Sequence, residues 1–226
     1  MSEFDGKVVV VTGAAGALGR AVVDFFAANG ATVAQLDVLE IDNGHYSARC
    51  DLLDARDCQR AVDAIVARLG TIDVLANIAG GFTMGEAVHE TSDATWDFMM
   101  GLNARSVLNM ARAVVPVMLR GGAGKVVNIG AGAGQAGIAQ LGAYSASKSV
   151  VIRLTEAMAG ELKAQGINVN CILPSVIDTE RNRQDMPDAD FSRWVTPDAM
   201  AKVIGFLASE AAAPIHGAAL PVSGLS

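Results

Sequence analysis

The sequence predicts an α/β protein of one domain, residues 1–226, built on a doubly wound parallel sheet of about seven strands with helices on both faces. Three observations carry this expectation. Short β-rich runs alternate with longer stretches of helical spacing along the whole chain. Several of the runs are continuously apolar, as in strands covered on both faces. A glycine-rich turn joins the first run to the first helical stretch.

Residues 7–12 (KVVVVT) form the first apolar strand, and a helix is expected over about 18–29, stopped at Gly30. Strands follow at 32–37 and, more weakly, at 46–50. Residues 54–69 place Val62, Ile65, Val66 and Leu69 on one helical face. A fourth strand covers 72–77. After a glycine-containing loop, residues 91–100 and 103–119 read as two helices. The remaining order is strand 125–129, a long helix 143–165, strand 167–173, helix 198–209 and strand 218–222. Right-handed strand–helix–strand crossovers turn such an order into a parallel sheet. Residues 174–196 are charged and irregular, and a loop of that length is a candidate lid.

Composition excludes several classes. Apolar residues are 51% and charged residues 18%, the reverse of a disordered chain. A net charge of −7 argues against nucleic acid or an anionic membrane as a partner. Cys50, Cys58 and Cys171 are odd in number and widely spaced, and His45, His89 and His216 are scattered, so no metal site and no disulfide framework is expected. No apolar run reaches the roughly 18 residues of a membrane span, and residues 1–5 do not read as a signal peptide. The expected location is cytoplasmic.

The turn Thr12-Gly13-Ala14-Ala15-Gly16-Ala17-Leu18-Gly19 has the small residues that let backbone N–H groups approach a pyrophosphate at a helix N-terminus. Its place between first strand and first helix fits a Rossmann dinucleotide fold. Asp37 closes the second strand 18 residues after Gly19. A carboxylate there accepts from adenosine ribose hydroxyls and repels a 2′-phosphate, so NAD(H) is expected in preference to NADP(H). The candidate cofactor residues of the turn are Gly13, Ala15, Ala17, Leu18 and Gly19.

Over nearly its whole length the sequence resembles the short-chain dehydrogenase/reductase family. Thr12, Gly13 and Gly19 match its TGxxxGxG motif, with Ala17 in place of the middle glycine. Asp51 and Leu52 match its adenine contact, and Asn77-Ile78-Ala79-Gly80 resembles its NNAG motif after the fourth strand. Asn103 falls where the family keeps an active-site asparagine. Tyr144-Ser145-Ala146-Ser147-Lys148 is its YxxxK motif, and Pro174, Ile177 and Thr179 fit the PGxxxT stretch, with Ser175 for glycine. The resemblance implies a nicotinamide-dependent oxidoreductase acting on a small molecule. It also implies Tyr144, Lys148 and Asn103 as catalytic residues, cofactor contacts from Asp51, Leu52, Asn77, Ala79, Gly80, Tyr144, Lys148, Pro174, Ile177 and Thr179, and a homodimer or homotetramer.

The tyrosine–lysine chemistry also follows from spacing. Residues i and i+4 share a helix face, so Tyr144 and Lys148 point the same way. A neighbouring ammonium is expected to lower the phenol pKa from its usual value of about 10. Tyr144 then exchanges a proton with substrate as hydride moves.

One position departs from the family. Its catalytic serine, 13 residues before the tyrosine, is Ala131 here, and no Ser or Thr lies between Asn128 and Tyr144. Gln135 is a candidate replacement donor, which makes Ala131, Gln135 and Tyr144 the candidate substrate residues. Dihydropteridine reductases of the family carry the same alanine, and Ala79-Gly80-Gly81-Phe82 and the lid sequence from Met186 to Trp194 resemble that branch, whereas Asn103 belongs to the main one. A quinonoid dihydropteridine, a ketone and a 3-oxoacyl compound are the candidate substrates. Arg181, Arg183, Phe191, Arg193 and Trp194 either cover the substrate or anchor the lid. The missing serine also leaves open a protein of this fold that binds NAD(H) as a sensor or scaffold and catalyses weakly.

Overall fold

Seven parallel strands lie in the order β3-β2-β1-β4-β5-β6-β7 in the computed structural model, which describes residues 2–226. They are β1 (Val8–Thr12), β2 (Thr32–Asp37), β3 (Tyr46–Arg49), β4 (Val74–Asn77), β5 (Gly124–Ile129), β6 (Ile167–Pro174) and β7 (Ala219–Val222). Every pair is parallel. This is the doubly wound Rossmann arrangement expected from the sequence.

The continuous apolar strands serve two cores at once. On one face Val8 and Val10 of β1, Leu36 of β2 and Val169 of β6 pack against α2 (Ala55–Leu69), α4 (Ser106–Gly121) and α5 (Gly142–Leu162). On the other, Val9, Val11, Val33 and Val127 meet α1 (Ala17–Ala28) and α7 (Pro197–Ala208). Side chains alternate along a strand, so only an unbroken apolar run fills both layers. Complete burial of a Val, Leu or Phe contributes about 1.5–3 kcal/mol each. Helices α1 and α7 approach closely at Gly205, where a Cβ would lie 2.1 Å from the Phe25 ring.

Helix ends follow capping chemistry. Asp54 accepts the Arg56 N–H at the start of α2, and Thr196 accepts the Ala199 N–H ahead of Pro197 at the start of α7.

Two stretches differ from expectation. The two helices anticipated over 91–119 form one continuous rod: α3 (Asp93–Met99) passes through a π-helical stretch, Met100–Arg105, into α4. Gly101 is accommodated by the wider turn instead of breaking the helix. The supposed irregular lid contains α6 (Glu180–Asp185), started by Thr179, which accepts the Asn182 N–H, and braced by Arg181–Asp185 and Gln184–Glu180 pairs. Bridging of Ile177 to Val195 ties the lid's two ends together. Among the described residues no helix is long and apolar enough to cross a membrane.

Candidate active site

The sheet order reverses between β1 and β4, and a crevice opens at the C-terminal ends of these strands, the usual ligand position in such a sheet. Thr12 holds its two walls together: its hydroxyl oxygen accepts the N–H groups of Ile78 (3.0 Å) and Ala79 (3.2 Å). Gly13 has φ +65°, and a Cβ there would come within 2.8 Å of the Ala79 backbone. A Cβ on Gly19 would lie 2.1 Å from the Gly13 carbonyl. The turn therefore needs glycine at both positions on geometric grounds, and it exposes the N-terminus of α1 to the crevice.

A cavity of about 810 Å³ occupies this crevice. Its lining includes Gly13, Ala15, Ala17, Leu18 and Gly19 from the turn, with Asp37 at the end of β2. Asp51 and Leu52 line it from the β3–α2 loop, Ala79 and Gly80 from the end of β4, and Thr179 from the lid. The turn closed to a Cβ at Gly13 and Gly19, the helix N-terminus and a strand-end carboxylate together fit a dinucleotide. Asp37 does more than line the cavity. Its Oδ2 accepts the Ala15 N–H at 3.0 Å and its Oδ1 the Leu39 N–H at 3.1 Å, so it also fixes the glycine-rich turn. Each oxygen retains acceptor capacity.

Asn77 is not in that lining. It is buried, and its amide donates to Asn128 Oδ1 (2.8 Å), while Asn128 donates to the Thr155 hydroxyl (2.9 Å). It joins β4 to β5 and α5 behind the crevice.

A second cavity, about 680 Å³, shares Leu18, Ile78 and Gly80 with the first and surrounds Tyr144 and Lys148. Ala131, Pro174 and Ile177 also line it. Lys148 is buried and donates to the Ile129 carbonyl at 2.9 Å, with its Nζ 5.9 Å from the centre of the Tyr144 ring. Gly80 passes so close that a Cβ would stand 3.3 Å from Lys148 Nζ and 3.0 Å from Asn103 Oδ1. Asn103, in the π-helical stretch, accepts the Gly81 N–H (2.9 Å) and donates to the Gly81 carbonyl (3.0 Å) and the Ser147 hydroxyl (3.0 Å). Its side chain positions the loop after β4 and the turn of α5 that carries Tyr144.

The electrostatics correct one expectation. Burial pushes the Tyr144 phenol up to about 12 and the Lys148 ammonium down to about 8. Desolvation outweighs the attraction expected between them, because the ammonium is directed at a carbonyl and not at the phenol oxygen. Tyr144 is consequently a neutral phenol through the neutral pH range.

Gln135 is exposed and lies outside both linings, so the structure does not bring it to Tyr144 as a replacement donor. In the lid, Arg183 pairs with Asp178 (2.6 and 2.8 Å) and lies 4.9 Å over the Phe191 ring, and Phe191 packs on Trp194. Arg193 donates to the Leu225 carbonyl. These groups brace the lid, whereas Arg181 reaches the first cavity. Sequence reading did not assign Ile138, Leu141 and Met186, which join Phe82 around Tyr144. Their signal is large apolar residues in loops that have no core to fill.

Comparison with known proteins agrees with this geometry. The family model described as "short chain dehydrogenase" matches residues 7–190. D-threitol dehydrogenase of Mycolicibacterium smegmatis is 36% identical, covering 98% of this chain and 93% of that protein. Sorbitol dehydrogenase of Cereibacter sphaeroides is 35% identical over 85% of this chain and 78% of its own. The crystal structure of carveol dehydrogenase from Mycobacterium avium in complex with NAD superposes with a TM-score of 0.89 at 27% identity, covering 99% of this chain and 98% of that one. The chain belongs to the short-chain dehydrogenase/reductase family of oxidoreductases.

Proposed function

We propose that the protein is an NAD(H)-dependent oxidoreductase that transfers hydride between nicotinamide and a carbonyl/alcohol or quinonoid substrate, with Tyr144 as general acid and base. The continuity of the two cavities carries this reading: a dinucleotide lying from Asp37 across the Gly13–Gly19 turn ends beside Tyr144 and Lys148. When bound, the cofactor supplies or accepts the hydride. Tyr144 gives its proton to the substrate oxygen or nitrogen in reduction and takes it back in oxidation. One ammonium hydrogen of Lys148 is held by Ile129, and the others are available to the nicotinamide ribose. Pro174, Ile177 and Thr179 bracket the nicotinamide end, and Asn103 positions the loop and helix on either side of it. Asp37 favours NADH over NADPH.

Relatives named for threitol and sorbitol support alcohol–carbonyl interconversion. A ketone, a 3-oxoacyl compound and a quinonoid dihydropteridine remain the substrates that the sequence supports. The three free thiols fit a reducing, cytoplasmic setting, and pairing through α4 and α5 fits a homodimer or homotetramer. The test is incubation with NADH dideuterated at C4 and a panel of ketones, α-diketones, 3-oxoacyl thioesters and a quinonoid dihydropteridine, the last followed by cofactor consumption. Deuterium at the new carbinol carbon is the expected result, and unlabelled alcohol or unconsumed cofactor across the panel refutes the reading.

A second reading rests on Ala131, whose methyl stands where a donor to the substrate oxygen is expected. In that reading the fold binds NAD(H) as a sensor or scaffold, and Tyr144→Phe leaves its biological activity unchanged.

A further inference from the structure

Three large apolar side chains stand exposed around one phenol. Phe82 is 57% exposed, Ile138 48% and Met186 38%, and all three line the cavity that contains Tyr144. They come from three separate segments: the loop after β4, the loop after β5 and the lid. Phe82 sets its ring edge-on to Tyr144, with centroids 4.9 Å apart. An apolar cluster of this kind on an otherwise acidic chain marks a surface that something apolar covers.

Apart from Tyr144, each polar side chain of the same cavity already donates to a backbone carbonyl, and none of them is Ile138, Met186 or Phe82. Lys148 donates to the Ile129 carbonyl (2.9 Å), Ser175 to the Ser223 carbonyl (2.9 Å) and Asn182 to the Ile177 carbonyl (2.7 Å). Among the described residues no carboxylate lines it. The Tyr144 phenol has burial as the cause of its raised pKa, with no hydrogen-bond partner contributing. Ala131, extended and 5% exposed, offers a methyl group where a second donor would stand.

Resting on the oxidoreductase reading above, we propose that Phe82, Ile138 and Met186 select a carbonyl compound with an apolar body and few hydroxyls, whose carbonyl is activated by an adjacent, electron-withdrawing one. Both halves of the selection follow from the site. A substrate hydroxyl placed against Ile138 or Met186 gives up its water partners and gains none. A carbonyl served by one donor instead of two is stabilised less as charge develops, so the substrate must itself make the attacked carbon electrophilic, as a neighbouring carbonyl does by withdrawing electron density. In the reduction, hydride adds to the carbonyl carbon, the π pair moves to oxygen, and that oxygen takes the Tyr144 proton. The substrate gains two electrons and the nicotinamide loses two.

The experiment compares 1-phenylpropane-1,2-dione with 1,3,4-trihydroxybutan-2-one as acceptors for NADH, together with equilibrium binding of each to the NAD⁺-loaded protein by calorimetry. The expected kcat/KM ratio is about 100-fold or more in favour of the phenyl diketone, the scale on which an apolar pocket and an added hydroxyl discriminate. Ile138→Asn and Met186→Gln, both at half-exposed positions that tolerate polar side chains, are expected to narrow it about tenfold by raising the trihydroxy ketone's value. Equal or better reduction of the trihydroxy ketone overturns the proposal and leaves the oxidoreductase reading intact. If neither is reduced, the deuterium-transfer panel decides that reading and binding decides the proposal. Saturable binding of the diketone alone upholds it, and absence of diketone binding overturns it.

Discussion

Lys148→Met tests the buried charge directly. The ammonium sits in the core of the site, hydrogen-bonded to the Ile129 backbone carbonyl, and burial lowers it from 10.5 to about 8. Below pH 8 the folded protein carries the full desolvation penalty, which this difference puts at about 3 kcal/mol. Between pH 8 and 10.5 the unfolded chain binds the proton that the folded one has released. Wild-type stability therefore rises there by about 1.4 kcal/mol per pH unit from this residue. Methionine fills similar volume without charge, and it leaves the Ile129 carbonyl unpaired at a cost of about 1–2 kcal/mol. The variant is expected to be more stable than wild type by about 1–2 kcal/mol at pH 7, an advantage lost and reversed by pH 10. Tyr144, raised to about 12, destabilises both proteins alike as pH climbs from 10 to 12 and cancels in the difference. Urea denaturation of both proteins at pH 7, 8, 9 and 10 measures this. A stability difference that stays constant over that range would show that Lys148 is not held against a desolvation penalty.

Other perturbations probe the rest of the site. Asp37→Ala removes the carboxylate at the cavity edge and two acceptors for backbone N–H groups, so NADH affinity falls and the NADH/NADPH ratio of kcat/KM narrows; an unchanged ratio rejects the selectivity assignment. Gly19→Ala puts a methyl 2.1 Å from the Gly13 carbonyl, so NADH binding, followed by quenching of tryptophan fluorescence, is expected to weaken at least about tenfold, and wild-type affinity would show that the turn does not hold the phosphates. Ala131→Ser supplies the missing donor and is expected to raise kcat/KM for an unactivated ketone by up to about 100-fold, with little change for α-diketones. A flat response for both means that another group already serves.

Much of the fold was legible because two-sided burial leaves an unmistakable trace: Val8–Thr12 and Ile167–Pro174 are buried along their whole length. The glycine-rich turn was legible for a related reason, since Gly13 and Gly19 have no room for a side chain. What escaped was set by tertiary geometry. Gly101 reads as a helix break, yet the chain passes through it by widening to a π-turn that places Asn103. The sign of the Tyr144 shift depends on where the ammonium points, and helix spacing alone says only that the two side chains share a face. Gln135 was a candidate by proximity in sequence, but the turn after Ala131 directs it outward. Phe82, Ile138 and Met186 converge from three loops, a grouping that no local pattern encodes.

The most direct measurement is a pair of titrations on Tyr144→Phe: NADH affinity by fluorescence, and the single-turnover rate of NADH oxidation with a saturating carbonyl substrate of the wild type. Loss of the phenol hydroxyl is expected to leave affinity within about twofold and to slow turnover by about 100–10,000-fold. Turnover within a few-fold of wild type would mean that the proton comes from elsewhere, and the role given to Tyr144 would be wrong.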